Sequence, residues 1–348
     1  MTKKSHFPQE SIMKNISSRR SFSNPVISSK KQVVYRLKNW RAYNRSLVQR
    51  GSLTVWLSQE AIDGWRYEGP AQRGAQFLYS DQAIETALTL RKLFGLALRQ
   101  RQGFVQSLLA LLALELSAPD YSTLSRRHRG LKVLVPVQPT DEPRHLVADS
   151  TGLKLYGEGE WQVRQQGWTQ RRTWRKLHVG FDAHTGEVVA QTLTRAATDD
   201  ALQVKPMLVQ TPGEIGWFYG DGAYDRWKVH RILAYPLKPR ATPIEAVIPP
   251  QRNATLRTAK RRYRHIEARN ERVQSILRLG RKQWKRDRRY HKRSLAETGM
   301  ARYKRILGAQ LAARTWEGQQ TEARIGCSII NRMIHLGKPD SYRGEIIN

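Results

Sequence analysis

Three acidic residues carry most of the chemistry this chain offers. Asp149 closes the apolar run His145-Leu-Val-Ala-Asp149, Asp221 closes Ile215-Gly-Trp-Phe-Tyr-Gly-Asp221, and Glu297 stands in Tyr290-His-Lys-Arg293-Ser-Leu-Ala-Glu297. Hard cations such as Mg²⁺ take oxygen ligands and keep coordination positions for water and phosphate. Two such ions about 4 Å apart can activate an attacking oxygen and neutralise a leaving one. Two or three carboxylates are a protein's share of such a site, so the trio suits divalent cations acting on a phosphodiester. Each member alone has a plainer reading. An Asp at the end of a strand is commonly a turn or cap residue, and Ser294-x-x-Glu297 is also a capping box.

Helical geometry adds to Glu297. Lys304 lies seven positions on, which at about 100° per residue is only ~20° around a helix. If the helix begins before Ser294, Tyr290 and Arg293 join that face within ~60°. One surface then presents a phenol, a planar cation, a carboxylate and a second cation.

The elements that would position these groups begin after residue 144. His145 to Ser150 reads as a strand. Trp174 to Asp182 and Glu187 to Leu193 read as a pair joined by the turn Ala183-His-Thr-Gly186. Thr198 can cap a helix whose first turn holds Asp199 and Asp200, both favourable at its positive end. Ile215 to Tyr219 gives a fourth strand, Tyr224 to Ala234 a helix, and Ala246 to Ile248 a fifth strand stopped by Pro249-Pro250. Helices dominate from there to Leu336. Asp182, Asp199, Asp200 and Asp225 are rival carboxylates, read as caps and turns, with Asp225 the best placed of them to support the trio.

Before residue 144 the pattern differs. Residues 1–30 form a basic arm rich in Ser, Lys and Asn, with too little apolar surface to offset chain entropy. Residues 31–132 read as an all-α domain, and 133–144 as a Pro-rich linker. A helix ending near Leu116, a turn at 117–119 and a second helix capped by Asp120 resemble a helix-turn-helix with Arg126 and Arg127 on its second helix. Two packed helices with a solvated basic end fit the same spacing.

Lys plus Arg number 61 against 29 Asp plus Glu, a formal charge of +32. A polyanionic partner follows, and binding to it must weaken steeply with salt. Between Arg252 and Arg293 there are 17 basic residues and three acids, Glu267, Glu271 and Asp287, interleaved with Tyr263, Trp284 and Tyr290. That imbalance, and the segment Trp161 to Lys176 with Arg164, Arg171, Arg172, Arg175 and Lys176, reads as phosphate-binding surface. Trp174 reads as core. The single cysteine, Cys327, excludes an internal disulfide, and its apolar neighbours mark it as packing rather than nucleophile. No secretory signal or membrane span is read, so the protein is expected in the cytoplasm.

The stretch from Tyr290 to Lys304 has the form Tyr-x2-Arg-x3-Glu-x6-Lys. Together with Val147-Ala-Asp149-Ser-Thr-Gly-Leu-Lys-Leu-Tyr-Gly-Glu-Gly-Glu-Trp161, Arg171-Arg-Thr-Trp-Arg-Lys-Leu-His178, Gly220-Asp221-Gly-Ala-Tyr-Asp225, Ile248-Pro-Pro250 and Arg252-Asn-Ala254, it resembles bacterial insertion-sequence DDE transposases of the insertion sequence 5 family. The resemblance covers roughly residues 140–340. It implies an α/β catalytic domain over 145–340, a ribonuclease H-like mixed five-stranded sheet flanked by helices, preceded by the all-α DNA-binding domain. It makes Asp149, Asp221 and Glu297 the catalytic, metal-binding trio, with two Mg²⁺ ions, or Mn²⁺ in their place. Tyr290, Arg293 and Lys304 would grip the transposon end, with Arg171, Arg172, Arg175, Lys176, Arg126, Arg127 and Trp284 as further DNA contacts. The implied partners are double-stranded DNA, as terminal inverted repeats and target, and a second copy of the chain on that DNA. Water would free a 3′-hydroxyl at the transposon end, and that hydroxyl would attack target DNA directly. A non-catalytic DNA-binding regulator and a metal-dependent nuclease without strand transfer are the alternatives.

Overall fold

A computed structural model of the chain describes residues 32–71, 73–74, 76–155, 174–235, 242–258 and 262–346. Two units are distinguished, residues 32–40 with 339–346, and residues 41–338. The first is a two-stranded antiparallel sheet in which β1, Gln32–Leu37, pairs with β8, Ser341–Ile346. Helix was expected from Val33. The β-branched pair Val33-Val34 followed by Tyr35 favours extended backbone once a partner strand exists, and that partner lies some 300 residues away, out of reach of a local pattern.

The second unit is built on a mixed sheet. Its central strand, β2 (Arg144–Leu155), runs antiparallel to β3 (Trp174–Asp182), which pairs in turn with β4 (Val188–Arg195). On its other side β2 is parallel to β5 (Ile215–Tyr219), and β5 to β6 (Glu245–Val247). The order is β4-β3-β2-β5-β6, with the two-residue β7 (Gln310–Leu311) added beside the far end of β2. This mixed sheet flanked by helices is consistent with a ribonuclease H-like catalytic domain. The expected fourth strand agrees residue for residue, whereas the first is twice its expected length, because it continues past Asp149 to pair with β3 and β7.

Both faces of the sheet are covered. Leu146 and Ala148 point to one apolar layer with Phe218 and Ile248, packed against Val204 and Met207 of helix Val204–Gln210 and Val229 of helix Trp227–Ala234. Val147, Leu153 and Leu155 point the other way, into a larger core under helix Ser294–Leu307 and the long helix Trp316–Leu336. The period of two along β2 thus sends alternate residues to two cores. On the long helix Ile325, Ile329, Ile330 and Met333 are all buried, so this face is core. Asn331 fastens it to the sheet edge, with its amide oxygen accepting from Val188 N at 2.8 Å and its amide nitrogen donating to Val188 O at 2.8 Å and to Pro136 O at 2.7 Å.

The helices before the sheet are not a separate body. Those at Asp81–Phe94, Leu98–Leu111 and Tyr121–Arg127 put Ile84, Leu88, Val105, Leu109 and Leu124 into the same larger core as Val147 and Ile329. The expected linker is itself packed. Val133 is buried, Gln138 N donates to Glu187, and Arg144 forms a buried pair with Asp182 at 2.6 Å. The helix-turn-helix reading fails on length. The first helix ends at Leu111 and the second begins at Tyr121, a far longer connection than the three or four residues that motif uses. Asp120 does cap the second helix, accepting from Ser122 N and Thr123 N. The basic arm at 1–30 and the residues Arg171 and Arg172 lie outside the described residues.

Candidate catalytic site

β2 and β5 are parallel and in register at Val147 and Tyr219. Asp149 and Asp221 each lie two residues beyond that pair, on the same face and at the same level. Asp149 is still within a strand, where its backbone pairs with Val179 of β3. Asp221 has left its strand and caps a short 3₁₀ turn at 222–224, with Oδ1 accepting from Ala223 N at 2.8 Å.

Glu297 arrives from the opposite layer. Arg289 has left-handed backbone, φ 50°, and reverses the chain before the 3₁₀ turn Tyr290–Arg293, after which the helix Ser294–Leu307 begins. The capping-box alternative is not formed. Ser294 Oγ donates to His291 O, and Glu297 accepts from Arg293 instead. Gly299 sets the height of this helix above the sheet, because a Cβ there would lie 2.5 Å from two ring atoms of Phe181. Phe181 is itself buried. Gly299→Ala therefore gains about 1 kcal/mol of helix propensity but loses about 1–3 kcal/mol to overpacking, and lifts the turn that carries Glu297. Thermal unfolding should detect the net loss.

One guanidinium joins the three carboxylates. Arg293 Nη2 is 3.2 Å from Asp149 Oδ2 and 3.7 Å from Asp221 Oδ2, and Nη1 is 2.6 Å from Glu297 Oε1. The expected trio, dispersed over 149 residues of sequence from Asp149 to Glu297, thus surrounds a single cation. Burial makes the Asp149 carboxyl less acidic than usual, and Asp221 and Glu297 push it the same way, against its bond from Ser150 N and against Arg293. Arg293 is held more basic than usual, since the acids around it outweigh its burial. Tyr290 is half-buried under Lys285, and its hydroxyl is made less acidic by burial first and then by Asp221 and Asp149.

The donors around Arg293 are all hard oxygens, which suits a divalent cation. Yet among the described residues no three His, Cys, Asp or Glu side chains stand close enough to one another to hold a metal ion. The carboxylates are disposed around the guanidinium, which occupies the space between them. As a donor set the trio fits. As an arrangement it requires Arg293 to withdraw.

The other expected residues divide. Lys304 is half-buried, two turns along the helix from Glu297. Arg126 is exposed. Arg127 is committed within the chain, to Asp81 at 2.6 Å, to Tyr79 O and over the Phe77 ring. Arg175 donates to Gln319 and lies over Trp316, and Lys176 donates to Thr198 O and is 3.4 Å from Asp200. Trp284 is a correction. It is 1 % exposed in the larger core, so it cannot stack on DNA; it anchors its short basic helix to the sheet layer. Trp174 is corrected in the other direction, 36 % exposed and packed on Gly152.

Two of the rival carboxylates are held by basic groups. Asp200 lies 3.1 Å from the buried His178 and is held at about 2, its burial being outweighed by the nearby His178, Ser150 and Lys176. Asp225 does not touch the trio. It is gripped by Arg269 through two bonds of 2.9 and 3.0 Å, by His230 at 2.8 Å and by Gln251 N at 3.1 Å. Arg272 donates to His230 Nδ1, so the imidazole proton must sit on Nε2, facing Asp225. Arg269 and Arg272, counted in the basic belt, are thus structural. The cluster fastens the segment after Asp221 to helix Arg264–Leu279.

No helix among the described residues is long and apolar enough to cross a membrane. No solved structure matches the chain. Two family models, each described as a transposase DDE domain, match residues 48–158 and 140–332, the second spanning more than half of the chain and all three carboxylates. With the sheet order and the gathered acids already in view, that match makes the chain a member of the DDE transposase family.

Proposed function

We propose that the protein is a divalent-metal-dependent DNA transposase that cuts at the terminal inverted repeats of an insertion sequence and joins the freed 3′-hydroxyl to target DNA. The observation that carries the reading is the ring of Asp149, Asp221 and Glu297 around Arg293, in a chain of this family. Asp149, Asp221 and Glu297 would hold Mg²⁺ or Mn²⁺, which when bound neutralises charge on the attacking and leaving oxygens of the phosphodiester. Asp149, fixed within β2 by its pairing with β3, would keep the most constant position of the three. Arg293 and Lys304, on the face that carries Glu297, would donate to phosphates next to the cut, and Tyr290 would support Arg293 from beneath. Removing Arg293 from the carboxylates to a phosphate would leave them free for metal. Processing two ends calls for two copies of the chain on one DNA.

Incubation with duplex DNA carrying the element's own inverted repeats, with Mg²⁺, tests this by mapping cut and joined strands. Joined product is expected. Cutting without joining, even from a precut 3′-hydroxyl end, identifies a nuclease, and binding without cutting a regulator.

Competition between Arg293 and metal has its own readout. Arg293→Gln removes the charge from the centre of the trio, and Mn²⁺ should then bind the DNA-free protein about tenfold more tightly, the scale of a charged hydrogen bond. A Mn²⁺ titration followed by melting temperature measures this. Equal stabilisation of both proteins would show that guanidinium and metal do not compete.

A further inference from the structure

The stretch that failed as a helix-turn-helix forms one wall of a cleft. Its volume is about 950 Å³, and it lies between the turn Gly95–Arg99, the residues Ser125, His128 and Arg129 at the end of helix Tyr121–Arg127, and the segment Gln310–Thr315. Its charged lining is Arg91, Arg99, Arg129 and Arg314, with no carboxylate. Arg99 lies flat over Tyr121, 4.7 Å from the ring centre, and Arg91 donates to Leu96 O. Arg129 and Arg314 are exposed, and neither has an acidic partner among the described residues.

Two buried groups lie close behind this lining, His128 in the wall and Arg101 near it. His128 is 6 % exposed, and its Nε2 has no hydrogen-bond partner among the described residues. Burial lowers the imidazole to about 4, against the pull of Glu322, and Arg91 and Arg101 add to the lowering, so at neutral pH it is an uncharged ring with an unused nitrogen. Arg101 is fully buried, and none of its three guanidinium nitrogens has a partner among the described residues. A buried cation without a counter-charge is costly unless an anion answers it nearby. Burial, then Arg91, brings Arg101 down only to about 9, so it stays charged and adds to a positive potential over the cleft.

We propose that this cleft seats consecutive phosphates of a DNA strand, with Arg129 and Arg314 as direct contacts and Arg99 held ready by Tyr121. A lining of arginines without a carboxylate suits a row of phosphates. The segment Gln310–Leu311 pairs with Lys154–Leu155 at the end of β2. Asp149 lies five residues back along that strand, about 17 Å. One DNA backbone could therefore occupy the cleft about five base pairs from the proposed cutting site. The proposal rests on the reading above only in taking DNA as the polyanion.

The test is the salt dependence of binding to a labelled duplex in EDTA, where no cutting occurs, so that failure of the catalytic reading leaves it untouched. Each phosphate contact contributes about 0.9 to the slope of log affinity against log salt. R129A/R314A should lower that slope by about two, whereas R45A/K205A, which removes two exposed charges elsewhere, should change it by less than one. Equal slopes for R129A/R314A and wild type, or an equal loss in both double variants, would overturn the proposal. A melting-temperature titration with inorganic phosphate separates the other source of the same chemistry. If phosphate stabilises wild type but not R129A/R314A, and DNA slopes stay equal, the cleft takes a small anion and its assignment to DNA is overturned.

Discussion

Asp149→Asn is expected to lower strand cleavage by about 10³-fold or more while the protein melts no lower than wild type and binds DNA as before. A loss of that size corresponds to several kcal/mol of transition-state stabilisation, the scale on which a metal-held charge acts. Asn has the same shape, and the backbone at 149 is paired with β3, so the exchange does not disturb the strand. The carboxylate is a poor guest where it stands, because burial and the neighbouring Asp221 and Glu297 all favour its protonated form. Removing its charge therefore relieves the folded state, as expected of a group kept for chemistry. The same shift sets the acid limb of wild-type cleavage. A carboxyl raised above the ordinary 3.8 is protonated, and lost to metal, at a higher pH than an exposed Asp. Wild-type rates of cleavage by Asp149→Asn would remove this residue from the mechanism. Glu297→Gln should match it in activity, though Glu297 is exposed and its loss should hardly affect melting.

The trio was legible because each member is tied to a local pattern. Two short apolar runs ended at an Asp, and Glu297 came with neighbours at helical spacing. What local patterning could not give was the register of β2 against β5, which brings Asp149 level with Asp221, or the approach of the helix carrying Glu297, which depends on Gly299 against Phe181. Arg293 was identified as a DNA contact, but its place among the acids follows from two long-range distances, to Asp149 and Asp221, beside the local one to Glu297.

The misreadings share a cause. Helical spacing before residue 132 was real, but apolar faces do not state what they pack against, and here they join the core of the sheet. The basic belt was read from charge balance, which cannot tell a solvated Arg from one that satisfies a buried Asp. Trp284 and Trp174 exchanged expected places for the same reason, since an indole among basic residues fits either side of a surface.

Asp225→Asn should have the largest effect on stability, about 3–5 kcal/mol, because it breaks a buried ion pair from one side and leaves the Arg269 guanidinium without a carboxylate. Arg269 is 8 % exposed and Arg272 6 %, so neither can recover its hydration where it stands, and His230 loses the charged acceptor for its Nε2 proton. A drop of roughly 10 °C in melting temperature follows for a unit of this size. The pH dependence identifies the cause. Burial alone would raise the Asp225 carboxyl, but the bonds from His230, Arg269 and Gln251 N outweigh it and hold it well below the ordinary 3.8. A depressed carboxyl contributes its stability above the unfolded value and loses it as pH falls towards the folded one. Wild-type melting should therefore fall steeply below about pH 4, and Asp225→Asn, already without that contribution, should fall less. Since Asp225 stands four residues after Asp221 and ties that segment to helix Arg264–Leu279, the variant should also cleave poorly at temperatures where it remains folded. A variant that melts within 2 °C of wild type, about the effect of 1 kcal/mol or less, would show that the two arginines find other partners and that the Asp221 segment is held by its own 3₁₀ turn.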